Sequence, residues 1–291
     1  MKMKKLGFIG GGNMAEALMR GLLGRKVLQP ADLIASDVDA ARRQKLKRAL
    51  KIETTDDNVE VLRNSRALLI AVKPQNIDEV LGELAAAMRP HAAASDGRDR
   101  KATSRPIALK ERLFISIAAG IPLARLTRAL GANARVIRVM PNAPAMVGQG
   151  MAALVRGGGA GKADEAFALR IFRAVGDAVA LDDEALLDAV TALSGSGPAY
   201  VYLFVKAMAD AGIAEGLPPQ LATQMALKTV RGAEENMRRS TMDAAELIRI
   251  VASPGGTTEA ALRKFAEERF SDIVAHALRA AAERSRELGS S

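Results

Sequence analysis

A glycine-rich loop near the start of the chain constrains the fold more than any other stretch. Residues 7–15 read GFIGGGNMA. A short apolar strand pattern at 5–9 precedes the glycines, and apolar residues follow at helical spacing up to Gly24. The loop therefore places a G-x-G-x-x-A motif at a strand-to-helix turn, which predicts a dinucleotide-binding site. The alternative is a glycine-rich turn in another kind of α/β protein.

The small residues of this motif have separate physical roles. Gly10 allows the tight turn, Gly12 lets a pyrophosphate approach the backbone, and Ala15 lets the helix pack closely on the strand. The N–H groups near Asn13 and Met14, at the start of the helix, have no helical acceptor and form an anion site. The motif thus predicts where the pyrophosphate of the cofactor binds.

Strand and helix patterns alternate over the first part of the chain. Strands are predicted at 5–9, 33–35, 68–72, 113–117, 136–139, 151–155 and 178–181, with helices at 14–24, 40–50, 76–88, 123–130 and 162–175. After Glu184 only helix patterns remain, at 186–193, 199–215, 219–237, 244–251, 258–269 and 271–288. We predict an α/β domain with a doubly wound, mostly parallel sheet over 1–182 and an all-α domain over 183–291. The apolar helix faces of the second domain indicate helices shared between subunits.

The composition excludes several classes of function. The chain has no cysteine and only two histidines, His91 and His276, so neither a disulfide nor a metal cluster is predicted. No apolar run reaches the length of a membrane span, and the glycine loop inside the first apolar stretch argues against a signal peptide. The net charge is +9, but Lys and Arg are scattered and aromatic residues make up only 3%. We expect a cytoplasmic protein that binds neither nucleic acid nor membranes.

One segment of the first domain breaks the alternation. Residues Pro90 to Arg105 are rich in Ala, Ser, Asp, Arg and Lys and contain few large apolar side chains. This composition predicts an exposed, mobile insertion over about 90–106. The alternative is that its arginines bind phosphate.

Three short segments follow predicted strands and reach the same sheet edge. They are residues 71–75 (AVKPQ), 118–120 (AAG) and 140–144 (MPNAP). Pro74 forces Lys73 to stay extended, and the small residues at 118–120 allow a flat ligand to lie close. Ligands of doubly wound sheets bind at the carboxyl ends of the strands, so these segments together predict a bound cofactor.

The residues after the second strand bear on the choice of cofactor. An acidic residue such as Asp37 usually accepts a hydrogen bond from a ribose 2′-hydroxyl, as in NAD binding. The hydroxyl of Ser36, with Arg42 and Arg43 nearby, could instead hold a 2′-phosphate. The sequence supports both interpretations.

Two glycine-containing segments start helices in the second half. Residues 194–200 read SGSGPAY, where the glycines permit a close crossing of backbones and Pro198 suits a first helical turn. Residues 253–258 read SPGGTT, and their hydroxyls and free N–H groups form a second anion site, suited to a carboxylate. The alternative for the second segment is an ordinary capped helix start.

Taken together, these segments resemble the pyrroline-5-carboxylate reductase family. The matching stretches are 7–17, 71–75, 116–121, 138–144, 188–200 and 253–258, in the order found in the family. The resemblance implies a Rossmann domain, then an all-helical domain that interlocks with a second subunit. It also implies a homodimer or a ring of dimers, and NADPH as the cofactor, with NADH possible.

The resemblance also implies site residues. Those that match cofactor contacts of the family are Ile9, Gly10, Gly11, Gly12, Asn13, Met14, Ser36, Asn58, Ala71, Val72, Lys73, Pro74 and Ala118. Those that match substrate contacts are Glu184, Gly256, Thr257 and Thr258. The chain departs from the family in its longer segment at 90–105, and in Ile250, which stands where some members carry an amide that reaches a neighbour's cofactor.

The implied reaction is hydride transfer from the nicotinamide to the imine carbon of Δ1-pyrroline-5-carboxylate, which gives L-proline. We expect Thr258 to be the catalytic residue that hydrogen-bonds the ring nitrogen or relays its proton. The loop from Ser253 to Thr258 would hold the substrate carboxylate, and Glu184 would orient the substrate or favour its iminium form.

Two other functions fit parts of the sequence. A 3-hydroxyacid dehydrogenase of similar plan needs a helix lysine as acid and base, but neither Lys206 nor Lys228 stands in the expected K-x-x-x-N setting. A non-catalytic NADP-sensing regulator would need no second anion loop.

Overall fold

The computed structural model describes residues 3–88 and 112–290. The predicted insertion at about 90–106 lies outside the described residues, and so does His91. The chain divides into two compact units: Met1–Gly195 with Ala282–Ser291, and Ser196–Ala281. We call them the first and the second unit.

Eight strands of the described residues form one sheet in the first unit, in the order β3-β2-β1-β4-β5-β6-β7-β8. The strands are β1 (Lys4–Ile9), β2 (Leu33–Ser36), β3 (Glu53–Thr55), β4 (Ser65–Ile70), β5 (Leu113–Ser116), β6 (Arg135–Met140), β7 (Gly150–Gly158) and β8 (Gly176–Ala180). Neighbours pair in parallel except β6 and β7, which are antiparallel. The predicted mostly parallel sheet is confirmed.

Helices cover both faces of this sheet. They are α1 (Asn13–Gly24), α2 (Ala40–Leu50), α3 (Asn58–Asn64), α4 (Ile77–Met88), α5 (Leu123–Leu130), α6 (Lys162–Phe172) and α7 (Leu186–Val190). Successive residues of β4 alternate between two buried clusters: Ala67 and Leu69 pack into one, Leu68 and Ile70 into the other. A strand buried on both faces is what a doubly wound sheet requires.

The sequence patterns missed β3 and α3. β3 has only three residues, Glu-Thr-Thr, and is a half-buried edge strand without an apolar pattern. α3 is held at its start by Asp57, whose Oδ1 accepts hydrogen bonds from the N–H groups of Val59 (2.7 Å) and Glu60 (3.1 Å). Elements this short depend on a cap and on their neighbours more than on periodicity.

The compact units divide at Gly195, later in the chain than the predicted boundary near Asp182. The segment between these positions belongs to the first unit because Leu187 is fully buried in its core. The α-helical turns of α7 continue as a π-helical turn, Thr191–Gly195, up to the division. The end of the last helix also belongs to the first unit, which the sequence patterns did not predict.

The second unit is entirely helical, as predicted. It contains α8 (Gly197–Ala214), α9 (Pro219–Arg239), α10 (Ala244–Val251), α11 (Thr257–Glu267) and the larger part of α12 (Phe270–Ser290). Large apolar side chains stay exposed on these helices, among them Tyr202, Leu203, Ile250 and Val251 at 65–68%. In the described part of the chain, none of the helices combines the length and apolarity needed to cross a bilayer.

An ion pair in the first unit should make the stability of the fold depend on pH. Asp164 is buried and accepts two hydrogen bonds from Arg135, one of them from Nε at 3.0 Å. The hydrogen bond from Arg135 lowers the pKa of Asp164 below its usual value; burial opposes the shift, and the Gly161 N–H adds to it. A carboxyl with a lowered folded pKa stabilises the fold above its unfolded pKa of about 3.9 and loses this contribution as pH falls through the folded pKa.

We therefore expect Asp164→Asn to lower the free energy of unfolding by roughly 1–3 kcal/mol at pH 7. The difference from wild type should shrink steadily as the pH falls below about 4. Urea unfolding at several pH values measures both effects. As a control, Asp78→Asn removes an exposed partner of Arg125 and should cost about 0.5 kcal/mol or less. An Asp164→Asn deficit that is independent of pH would contradict the prediction.

Candidate functional site

The glycine loop between β1 and α1 has the backbone that the motif predicts. Gly10 has φ 90°, in the left-handed region, and a Cβ built on it would lie 2.8 Å from the carbonyl oxygen of Ala71. Its N–H donates to the carbonyl oxygen of Ser36 at 3.0 Å. Gly10 is therefore fixed both by its conformation and by the backbone beside it.

The next two glycines differ in what surrounds them. A Cβ on Gly11 would lie 2.6 Å from Leu46 Cδ1, and the Gly11 N–H donates to Asp37 Oδ2 at 2.8 Å. A Cβ on Gly12, in contrast, would meet no atom within 4 Å among the described residues beyond its chain neighbours. Gly12 is thus not needed for packing within the chain. It borders open space at the start of α1, where the first N–H groups have no helical acceptor, so the loop fits a pyrophosphate.

The predicted cofactor residues meet at one edge of the sheet. Each lies at or just beyond the carboxyl end of a strand from β1 to β5. They are Ile9, Gly10, Gly11, Gly12, Asn13 and Met14 at β1, Ser36 at β2, Asn58 beyond β3, Ala71, Val72, Lys73 and Pro74 after β4, and Ala118 after β5. Lys73 is extended, with φ −64° and ψ 148°, as the following proline predicts. This edge includes the switch point between β1 and β4, where ligands of such sheets bind.

Two of these residues, Ser36 and Asn58, are hydrogen-bonded to each other. Ser36 is buried, and its Oγ donates to Asn58 Oδ1 at 2.6 Å. The Nδ2 of Asn58 donates to Glu83 Oε2 at 2.7 Å. The Ser36 hydroxyl is thus hydrogen-bonded inside the fold, whereas Asp37 and the 91%-exposed Val38 follow the end of β2.

Basic side chains lie beside the glycine loop. Arg42 donates to Asn13 Oδ1 at 2.5 Å and to Glu16 Oε2 at 3.2 Å, and Arg43 donates to the carbonyl oxygen of Asp37 at 2.8 Å. Burial raises the pKa of Glu16, but hydrogen bonds from Lys45 and Arg20 outweigh it, so the net pKa is lowered. Glu16 stays ionised at neutral pH and holds cations from α1 and α2 next to the loop.

Glu184 is engaged by an arginine that the sequence analysis missed. Its Oε1 accepts hydrogen bonds from Arg138 Nη1 at 2.6 Å and from the Leu123 N–H at 2.7 Å. Arg138 is buried in β6. A buried arginine needs a carboxylate partner, so the apolar run Val-Ile-Arg-Val was the signal that could have indicated this pair.

The predicted carboxylate loop lies in the second unit. Gly255 has φ 71°, and a Cβ on Gly256 would lie 2.5 Å from Ser253 Oγ, so both positions favour glycine. Gly256 is the N-cap of α11, which begins at Thr257. Thr258 is therefore inside the first turn and does not cap the helix through its hydroxyl. The N–H groups of this turn have no helical acceptor and suit an anion.

The predicted substrate residues are split between the units. Glu184 belongs to the first unit, whereas Ser253, Gly256, Thr257 and Thr258 belong to the second. Glu259 Oε2 accepts a hydrogen bond from the Gly255 N–H at 2.6 Å, and the Gly256 N–H donates to the carbonyl oxygen of Ser253 at 3.0 Å, so the N–H groups of both glycines are already paired. Across residues 3–88 and 112–290, no three His, Cys, Asp or Glu side chains gather as a metal site would need.

Two family models match the chain. The model for pyrroline-5-carboxylate reductase dimerisation matches residues 184–288. The model described as NADP oxidoreductase, coenzyme F420-dependent, matches residues 5–93. The matches cover the helical part of the chain and the region of the glycine loop.

Similar proteins match the chain over nearly its full length. A pyrroline-5-carboxylate reductase from Pseudomonas aeruginosa is 40% identical, with 99% of this chain and 98% of the relative covered. A solved structure of a pyrroline-5-carboxylate reductase from Coxiella burnetii has a TM-score of 0.85 and 30% identity, with 99% of both chains covered. The structure of a Plasmodium falciparum pyrroline carboxylate reductase with NADP bound has a TM-score of 0.82 and 28% identity, again with 99% of both covered.

Proposed function

The chain belongs to the pyrroline-5-carboxylate reductase family, and we propose that its glycine loop and its Ser253–Thr258 loop are the two binding elements for the reaction of that family. The protein is an oxidoreductase of proline biosynthesis that reduces Δ1-pyrroline-5-carboxylate to L-proline with NAD(P)H. The observation that carries this conclusion is the 40% identity over 99% of the chain. The open space at Gly12 supports the cofactor half of the site.

The first unit holds the cofactor in this proposal. NADPH, when bound, supplies the hydride that the imine carbon accepts. The backbone at Gly12 and the N–H groups of Asn13 and Met14 bind its pyrophosphate. The loops after β4 and β5, at Ala71–Pro74 and Ala118, hold its other half against the sheet edge.

The second unit binds the substrate. The free N–H groups at the start of α11 hold its carboxylate, and the Thr258 hydroxyl bonds to the ring nitrogen or relays its proton. A protonated imine accepts hydride more readily, so a donor at this nitrogen lowers the barrier. Glu184 Oε2 makes no hydrogen bond to a described residue. We propose that this oxygen orients the substrate or favours its iminium form.

The decisive experiment is NADPH oxidation followed at 340 nm with pyrroline-5-carboxylate added. The proposal expects rapid oxidation that depends on this substrate, with L-proline as the product. Hydroxy acids assayed in reverse with NADP⁺ test the dehydrogenase alternative, for which Lys206 is poorly placed because it is exposed and paired with Asp210 at 2.5 Å. NADPH binding without turnover of either substrate would instead support a regulator.

Asp37 should limit the use of NADPH. Its carboxylate is fixed at the glycine loop by the Gly11 N–H (2.8 Å) and by the Asp39 N–H (2.9 Å). A fixed negative charge near the ribose repels a 2′-phosphate, so Asp37→Ser should raise the ratio of kcat/KM for NADPH over NADH by about ten-fold. Asp39→Ser is the control, because serine can still cap α2. A shift of Asp37→Ser towards NADH would refute this role.

We propose that the chain assembles as a homodimer, or as a ring of dimers, through its second unit. The dimerisation model matches this region, and the exposed apolar side chains of α8 and α10 supply the surface that a partner would bury. Sedimentation velocity tests the assembly, and a monomer at micromolar concentration would contradict it.

We also propose a cytoplasmic location, which fits a biosynthetic reductase and can be tested by cell fractionation.

A further inference from the structure

The end of α12 packs on the loop that follows β5. Residues 282–291 belong to the first unit, although the helix begins in the second. A Cβ built on Gly120 would lie 3.0 Å from Leu288 Cβ, and one built on Gly289 would lie 3.5 Å from the carbonyl oxygen of Gly120. The helix and the loop are therefore in contact at Gly120, and a larger side chain at this position of the loop would not fit.

A buried hydrogen bond fixes this helix end. Ser285 is only 5% exposed, and its Oγ donates to Asp188 Oδ1 at 2.6 Å. Asp188 lies in α7, one residue after Leu187, which is fully buried in the core. The bond joins residues 97 positions apart in the chain. It holds Leu288, one helical turn further on, against Gly120.

The loop in question carries a proposed cofactor contact. Ala118 is 4% exposed and stands two residues before Gly120, whose φ of 72° marks a left-handed turn. In a doubly wound sheet, the half that contains the glycine motif takes the adenosine side, so the half that contains β4, β5 and β6 takes the nicotinamide side. The contact with α12 is thus made to the loop next to the reactive ring.

We propose that the last two turns of α12 position the nicotinamide-side loop, with Ser285 and Leu288 as positioning residues that act through Asp188 and Gly120. This inference rests on the proposed function. A turn built on glycine has few restraints of its own, so an external contact decides how accurately it is held. A displacement of about 1 Å at a reacting group can reduce a rate about a hundred-fold.

The test compares Ser285→Ala with two matched variants. Ser285→Thr keeps the hydroxyl, and Arg284→Ala removes a neighbouring exposed side chain that pairs along the helix with Glu287. The first readout is amide hydrogen exchange of residues 117–121 in the protein without cofactor. We expect exchange about ten-fold faster in Ser285→Ala, from the loss of one hydrogen bond, and unchanged exchange in Arg284→Ala. Ser285→Thr should stay near wild type.

The second readout separates positioning from binding. In Ser285→Ala, kcat should fall by about ten-fold while the Kd for NADPH changes by less than about two-fold, because the pyrophosphate contacts are on the other half. The deuterium isotope effect with 4-deuterated NADPH should rise as hydride transfer becomes slower. Leu288→Gly, which removes the Cβ that faces Gly120 and leaves the buried bond, should give the same pattern more weakly.

The outcomes distinguish the inference from the function on which it rests. Wild-type protein that does not reduce pyrroline-5-carboxylate would overturn the proposed function, whatever the exchange data show. Unchanged exchange at 117–121 in both Ser285→Ala and Leu288→Gly would overturn the positioning role, even in an active enzyme. Faster exchange with unchanged kcat and isotope effect would also overturn it, because the contact would then hold the loop in place without affecting hydride transfer.

Discussion

Gly12→Val should raise the Kd for NADPH by at least about a hundred-fold and leave the protein folded. The valine side chain would occupy the space that the pyrophosphate needs, and the loss of two charge-assisted hydrogen bonds costs roughly 1.5–3 kcal/mol each. Apart from its chain neighbours, no described residue has an atom within 4 Å of the added Cβ, so the Cβ itself meets no clash that would oppose folding. Titration of NADPH by fluorescence and a thermal melt measure the two effects.

Gly24→Val is the matched control at the other end of α1. A Cβ at Gly24 also meets no atom within 4 Å, and this glycine is remote from the proposed cofactor site. It should keep wild-type affinity for NADPH. Gly12 is the N-cap of α1, and valine is a poorer N-cap than glycine, so Gly12→Val should lower the free energy of unfolding by about 1 kcal/mol. Unchanged NADPH binding by Gly12→Val would remove the glycine loop from the site.

Thr258→Ala should lower kcat/KM for pyrroline-5-carboxylate by about ten- to a hundred-fold. One hydrogen bond to the ring nitrogen in the transition state is worth roughly 1.5–3 kcal/mol. The melting temperature should not change, because Gly256 and not Thr258 is the N-cap of α11. NADPH affinity should also stay the same, since the proposed cofactor contacts lie in the first unit.

Two further variants test whether the effect comes from the Thr258 hydroxyl itself. Thr258→Ser keeps the hydroxyl and should recover most of the activity. Thr257→Ala removes an exposed hydroxyl from the preceding residue, which contributes its N–H to the proposed carboxylate site, and should cost little. If Thr258→Ala turns over at nearly the wild-type rate, its hydroxyl has no role in the chemistry. Equal losses in Thr257→Ala and Thr258→Ala would indicate a general disturbance of the loop.

Local signals account for most of what the sequence predicted. The helices at 40–50, 123–130 and 244–251 have the predicted bounds, because apolar spacing and start and stop residues define them within one short stretch. Gly10 has the left-handed φ that its place in the motif requires. The order of strands and helices was enough for the fold class, since few topologies satisfy it.

Contacts between distant residues account for what was missed. No pattern in the sequence joins Glu184 to Arg138, Ser36 to Asn58, or Ser285 to Asp188, yet these bonds decide which polar groups are available to a ligand. The position of Thr258 at the start of α11 is another feature that the sequence pattern could not predict. The run of hydroxyls and glycines predicted an anion loop, but the backbone decides that Gly256 holds the cap position. Which domain a short segment joins is likewise settled by packing.

The return of α12 to the first unit has a consequence for how the protein is made. A ribosome synthesises the chain from its N-terminus, so the loop at 118–120 is complete long before Leu288 exists. The nascent first unit can form its sheet early but lacks the helix end that packs on Gly120. It becomes complete only after the whole second unit has been translated, which delays full assembly of the proposed cofactor loop to the end of synthesis.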